Sequence, residues 1–208
     1  MFISKKSLGQ NFLIDKNIIF KIINLINKFE NKTFLEVGPG KGALTDELLK
    51  KKPKKLILIE KDKILFDELS IKYKKFQNVK IYHEDALNFD YSKINYIDVI
   101  IANLPYNISV KLIIKWMKNI NYYDEIIVMI QKEVAEKFKY KNIKKRNRLN
   151  TFAEITSYIE LKFDVSKNVF YPKPKVKSSV LKILPKNKYN INLDKFENFT
   201  RDIFNNKR

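Results

Sequence analysis

Apolar positions along this chain follow two alternating rhythms. Compact aliphatic runs at 33–37, 55–60, 79–83, 97–102 and 125–130 have the length of buried strands. Between most of them, apolar residues recur three or four apart, as on a helix with one buried face. The pattern predicts strands over these five runs and over 159–165 and 178–184. It predicts helices over 15–28, 42–51, 62–75, 109–119, 132–139, 149–158 and 193–205. Strands buried on both faces and alternating with helices make a parallel sheet with helices on either side, so the fold class is α/β. The last two strands have no helix between them and are expected to pair antiparallel at a sheet edge. Ile18, Ile22 and Ile26 form the buried stripe of the first helix, and Trp116, beside Leu112 and Ile113, belongs to the core. No run of about eighteen apolar residues occurs, so no membrane span is predicted.

The polar residues with chemical potential sit where the strands end. Residues 33–42 read Thr-Phe-Leu-Glu-Val-Gly-Pro-Gly-Lys-Gly, a strand entering a glycine-rich turn, followed by Leu44, Leu48 and Leu49 at helical spacing. Three of the chain's four glycines, Gly38, Gly40 and Gly42, lie in this turn, where a side chain would obstruct something. Strand, glycine turn and helix together make a nucleotide-type ligand site. Glu60, about twenty residues further on, ends the next strand, where a carboxylate can accept both hydroxyls of a ribose. The glycines alone suit NAD equally well, because Gly38, Gly40 and Ala43 satisfy the looser dinucleotide pattern.

Three features favour S-adenosylmethionine over a dinucleotide. Glu36 stands two residues before Gly38, where it would repel a pyrophosphate but can serve an ammonium group directly or through water. Asp85 ends the run 79–85 and suits an adenine amine. Asn103-Leu104-Pro105-Tyr106 comes straight off the strand 97–102 and is suited to holding an acceptor amine. An amine conjugated to a π-system is a weak nucleophile, and oxygens that accept its two hydrogens localise the lone pair. The Asn103 side-chain oxygen can accept one, and a main-chain carbonyl at Leu104 or Pro105 the other. Pro105 stiffens the turn, and Tyr106 offers a face for a planar base, a stack worth roughly 1–3 kcal/mol.

Five stretches make the chain resemble the ribosomal RNA adenine dimethyltransferases. They are Lys5-Lys6-Ser7-Leu8-Gly9-Gln10-Asn11-Phe12-Leu13, Glu36-Val37-Gly38-Pro39-Gly40-Lys41-Gly42, Glu84-Asp85-Ala86, Asn103-Leu104-Pro105-Tyr106-Asn107, and 170–178, Phe-Tyr-Pro-Lys-Pro-Lys-Val-Lys-Ser. The resemblance implies a class I S-adenosylmethionine-dependent methyltransferase sheet, Rossmann-like and mostly parallel with an antiparallel edge pair. It also implies that Asn11 and Leu13 close over the cofactor, Gly38 and Gly40 line it, Glu60 holds the ribose and Asp85 the adenine ring. Asn103 would join cofactor to target amine, and Phe170 would pack on the other face of the target adenine. Read without the family, Phe12 and Leu13 serve equally as an entry staple for the first helix, and Phe170 as a core residue. The family's catalytic part would occupy residues 1–188. Residues 189–208 would begin a C-terminal helical domain most of which is missing, either because the sequence is a fragment or because the lineage has lost it.

Composition narrows the partners. The chain has no cysteine and one histidine, His83, which removes disulfides, thiolate metal sites and most zinc schemes, so no metal is expected. With 42 Lys and Arg against 23 Asp and Glu, the formal charge is +19, which suits a polyanion. AT-rich coding would also enrich lysine without selection for binding. Clustering favours function: Lys137, Lys139, Lys141, Lys144, Lys145, Arg146 and Arg148 crowd one connection, and Lys173, Lys175 and Lys177 follow Phe170. Both clusters are expected to border the pocket. The partners the resemblance implies are small-subunit ribosomal RNA or an immature small ribosomal subunit, met by a monomer in the cytoplasm without membrane contact. The alternatives are a resistance methylase of large-subunit RNA and an RNA- or DNA-binding assembly or transcription factor with secondary methylation. DNA adenine and protein glutamine methyltransferases carry Pro in place of Leu104, and the Gln-Asn-Phe-Leu start argues against both.

Overall fold

The computed structural model describes residues 10–119, 122–139, 146–186 and 192–205. In chain order these form β1 (Phe12–Leu13), α1 (Lys16–Ile23), β2 (Thr33–Val37), α2 (Ala43–Lys50), β3 (Lys55–Glu60), α3 (Lys63–Lys72), β4 (Val79–His83) and β5 (Ile97–Asn103). There follow α4 (Ser109–Lys118), β6 (Tyr123–Gln131), α5 (Lys132–Lys139), α6 (Arg148–Thr156), β7 (Ser157–Val165), β8 (Phe170–Tyr171), β9 (Ser178–Pro185) and α7 (Leu193–Asn205).

The main sheet has seven strands in the order β4-β3-β2-β5-β6-β9-β7. Pairings from β4 to β6 are parallel, whereas β9 runs antiparallel to both β6 and β7. The α/β class and the antiparallel edge pair are therefore as expected. Continuous aliphatic strands bury both faces: Leu35, Ile57 and Ile100 join one core cluster, and Phe34, Leu56 and Val99 the other. Trp116 lies in the first cluster.

Two features differ from the sequence reading. Helix α1 ends at Ile23, well short of residue 28. The Leu25 carbonyl instead accepts the Lys182 ammonium at 2.9 Å, and β-branched Ile with Asn24 and Asn27 gives little intrinsic support for more turns. The second difference is a separate two-stranded antiparallel ribbon in which Phe12 pairs with Tyr171 and Leu13 with Phe170. Asp15 then caps α1 through a bond from the Ile18 N–H at 3.0 Å. Helix α7 packs on α6 by stacking Phe196 against Phe152, and Glu197 pairs with Lys118 and Arg148. The expected boundary at residues 188 and 189 lies outside the described residues, as do Lys5–Gly9, Lys141, Lys144 and Lys145. Among the described residues, no helix is long and apolar enough to cross a membrane.

Candidate active site

In an open sheet of this kind, the strand order reverses between β2 and β5, and the carboxyl ends on either side of that point bound a crevice. The crevice here is a cavity of about 310 Å³ whose lining includes Asn11, Leu13, Glu36, Gly38, Gly40, Glu60, Asp85, Asn103, Leu104, Pro105, Tyr106 and Phe170. Every site residue expected from the sequence thus meets at one cavity. Its size falls in the range of about 300–1,000 Å³ that holds a small ligand.

The glycine turn leaves β2 with Gly38 in the left-handed region at φ +67°, and a Cβ there would meet nothing within 4 Å. The space beside Gly38 is open to the cavity, which leaves room for a ligand atom at the backbone. The Gly38 N–H donates to the Ile59 carbonyl at 2.9 Å, tying the turn to β3. Glu60 is held by two backbone donors, Gly40 N–H at 3.2 Å and Asp62 N–H at 2.8 Å. Burial pushes its carboxyl up, against the pull of these bonds. Each carboxylate oxygen keeps a lone pair for a hydroxyl.

Asp85 sits two residues beyond β4 rather than on it, accepting the Leu87 N–H at 2.9 Å and the Lys61 ammonium at 2.8 Å. Partial burial pushes this carboxyl up, but those partners outweigh it and hold it below the ordinary range. Glu36 lies on the cavity floor at 2% exposure, one oxygen accepting the Thr45 hydroxyl at 2.6 Å. Burial above all, reinforced by Asp46 and Glu60, raises its pKa to about 8, while the Thr45 bond and Lys72 work the other way. A buried acid in that state is poised to take a cation.

At the end of β5, Asn103 Nδ2 donates to the Asn11 carbonyl at 2.9 Å. A carbonyl can only accept, so this bond decides which end of the carboxamide is nitrogen and leaves its oxygen for another donor. The Pro105 carbonyl accepts both the Ile108 N–H at 3.2 Å and the Ser109 N–H at 3.1 Å, which commits it to the start of α4. The Tyr106 hydroxyl bonds Ser178 Oγ at 2.9 Å and anchors its ring to β9. Phe170 is only 4% exposed and packs in the second core cluster while still lining the cavity.

Several supporting residues were given no role by the sequence, although Ser178 and Gln10 lie within the family stretches. Thr45, Lys61 and Ser178 each fix a site residue through contacts that only the fold creates. Gln10 donates to Asp62 at 3.1 Å and so ties the N-terminal segment to the chain just beyond Glu60. The basic cluster on the α5–α6 connection behaves otherwise than expected. Lys137, Arg146 and Arg148 are paired with Glu133 on α5, Glu154 on α6 and Glu197 on α7, and none of the three cations lines the cavity. His83 is an exposed side chain packed on Phe66, with ring centroids 5.1 Å apart. Among the described residues, no group of three or more His, Cys, Asp or Glu side chains could hold a metal.

The pattern described as ribosomal RNA adenine dimethylase matches residues 1–208. The chain belongs to this family. A dimethylase relative, ribosomal RNA small subunit methyltransferase A of Wolbachia sp. subsp. Drosophila simulans (strain wRi), is 39% identical over 98% of this chain and 77% of its own length. The Pelagibacter ubique (strain HTCC1062) protein of the same name is 39% identical over 100% of this chain and 81% of its own. A dimethyladenosine transferase from Plasmodium falciparum superposes with a TM-score of 0.84 at 31% identity, covering 95% of this chain and 72% of that one. The dimethylase is thus a class I enzyme that methylates ribosomal RNA adenines with S-adenosylmethionine.

The residues present fit that cofactor: open space at Gly38, paired acceptors at Glu60 and a buried acid at Glu36. A proton-linkage result is expected. An ammonium placed beside Glu36 would favour its carboxylate, so cofactor binding below about pH 8 should release a proton and affinity should rise as pH climbs toward 8. Calorimetry at pH 6.5 in buffers of different ionisation heat measures that release, and Glu36→Gln should abolish it and flatten the pH dependence. For the fold the sign is opposite. Glu36 holds its proton more tightly folded than unfolded, so its stabilisation is complete below pH 4.5 and is lost as pH rises through about 8.

Proposed function

We propose that this dimethylase acts as a cytoplasmic monomer on small-subunit ribosomal RNA during ribosome maturation, adding two methyl groups to N6 of each of two adjacent adenines. The observation that carries the site assignment is the Asn103–Asn11 bond, which commits the amide nitrogen and leaves a neutral carboxamide oxygen to accept, on a residue lining the cavity shared with the glycine turn. The names and identities of the bacterial relatives support the choice of small-subunit RNA. Residues 1–188 would carry the chemistry, and 189–208, with α7, would begin a helical element that docks on folded RNA.

In this reading an unpaired or extruded adenine lies between Tyr106 and Phe170. Asn103 Oδ1 accepts one amine hydrogen. Because the Pro105 carbonyl is already taken by α4, the Leu104 carbonyl accepts the other. The lone pair so localised points along one line, and no base is needed before attack. The cofactor, when bound, supplies an electrophilic methyl on a sulfonium. The methylated nitrogen is transiently cationic and loses its proton to water. In the second round, the single remaining N–H must again be held by one of these two oxygens. Glu60 would hold the ribose, Asp85 the cofactor's adenine, Glu36 its ammonium, and Asn11 and Leu13 would close the cavity from the N-terminal side.

Mass spectrometry of ribosomal RNA from a strain lacking the protein, with and without complementation, tests the proposal. The expected result is loss of dimethyladenosine from the small-subunit RNA and its return on complementation. Loss from the large-subunit RNA would favour a resistance methylase. Unchanged methylation with defective subunits would favour an assembly factor.

A further inference from the structure

The ribbon of β1 and β8 has two faces of different character. Side chains alternate along each strand, and directly paired residues share a face. Leu13 and its partner Phe170 therefore point one way, and both are buried in the core. Phe12 and its partner Tyr171 point the other way. Ile14 continues that outer face, because it lies two residues beyond Phe12 and its N–H extends the ladder to the Val169 carbonyl at 2.9 Å.

The outer face starts inside the active-site cavity and ends in solvent. Phe12 lines the cavity and presses on the glycine turn, where a Cβ on Gly40 would lie 2.9 Å from its ring. Ile14 also lines the cavity, yet it and Tyr171 are each 59% exposed. Tyr171 joins neither core cluster. The segment that follows is basic: Lys173, Lys175 and Lys177 are all exposed around a half-exposed Val176. An exposed ring followed along the chain by exposed cations suits a single strand of nucleic acid, bases on the ring and phosphates on the lysines.

We propose that this outer face seats the nucleotide adjoining the target adenine, with its base stacked on Tyr171 and its backbone on Lys173, Lys175 and Lys177. The inference rests on the RNA-methylating function above and adds a positioning residue to it. An apolar partner is disfavoured by the three lysines. A folded RNA duplex is disfavoured by the ring, since a paired base has no free face to stack. The arrangement also accounts for successive modification of neighbouring adenines, because the second base already waits on Tyr171 while the first is in the cavity.

The test uses an RNA hairpin excised around the adenines identified by the mass spectrometry above, carrying 2-aminopurine at each flanking position in turn. Wild type and Tyr171→Phe should quench one flanking probe severalfold at saturation, and Tyr171→Ala should not. Tyr171→Ala should also raise the KM for this RNA roughly tenfold, within what one base stack supplies, with kcat and cofactor affinity unchanged. Equal quenching by Tyr171→Ala, or no quenching at either flank by wild type, would overturn the proposal. The two readings separate cleanly. If wild type transfers no methyl to adenine N6, the enzymatic reading fails. If it does so and Tyr171→Ala retains the wild-type KM and quench, only the ribbon's role fails.

Discussion

Asn103→Ala is expected to lower single-turnover methyl transfer by about 10³-fold or more while weakening cofactor affinity less than about tenfold. One preorganised polar group aimed at developing charge is worth about 10²–10³ in rate. Asn103 carries more than that, because its oxygen both localises the amine's lone pair and fixes the line of attack. Alanine removes the acceptor and also leaves the Asn11 carbonyl without its donor, so the N-terminal segment loosens beside the cavity. Asn103→Asp tests the tether to Asn11 with acceptor oxygens kept. It keeps acceptor oxygens but has no N–H for the Asn11 carbonyl, so it should repel that carbonyl and also fail in transfer, with cofactor affinity falling further than in the alanine variant. Transfer from labelled cofactor gives the rate and calorimetry the affinity. Turnover close to wild type in Asn103→Ala would remove the residue from the mechanism.

What the sequence revealed and what it concealed divide along physical lines. The glycine turn, Glu60 and the Asn103 tetrad were legible because each sits at the end of an aliphatic strand, and a parallel sheet brings consecutive strand ends together whatever the loops do. The β1–β8 ribbon was not legible, since two-residue strands have no periodicity and their partners lie far apart in the chain. The early end of α1 was hidden for the same reason: the Lys182 ammonium that captures the Leu25 carbonyl comes from the far end of the sequence. The sequence offered both Leu104 and Pro105 as main-chain acceptors, and only the first turn of α4, which occupies the Pro105 carbonyl, distinguishes them. The lysine-rich connection misled because charge counts do not show which cations are already paired, as Lys137, Arg146 and Arg148 are.

The largest stability effect is expected at Gly42, where the glycine turn enters α2. Gly42 has φ +82°, a conformation that costs a residue with a side chain about 1–2 kcal/mol. A Cβ there would also fall well inside contact with the Tyr73 hydroxyl. Tyr73 cannot swing away, because it is buried at the end of α3 and its hydroxyl donates to Asp46 at 2.7 Å, and burial with the Asp46 charge keeps that hydroxyl protonated. Lys72 completes the buttress by bonding Asp46 at 2.7 Å and the Lys41 carbonyl at 3.1 Å. Overpacking of this kind adds about 1–3 kcal/mol, so Gly42→Ala should lose about 2–5 kcal/mol in all. For a chain of this size that is a fall in Tm of about 5–15 °C. Tyr73→Phe alone should lose about 1 kcal/mol with its hydrogen bond. In the double variant the hydroxyl that a Cβ would overlap is gone, and the new methyl meets the ring carbon that carried it at 3.1 Å and the flexible Lys72 ammonium at 3.2 Å, tight contacts that small shifts relieve. The double variant should therefore be more stable than the sum of the single losses requires, by about 1–3 kcal/mol in a denaturant-melt cycle. Strict additivity would mean that the α3 buttress does not press on the turn. The cofactor should report the same strain, since moving Gly42 drags Gly40 and Gly38 with it and with them the N–H that holds Glu60.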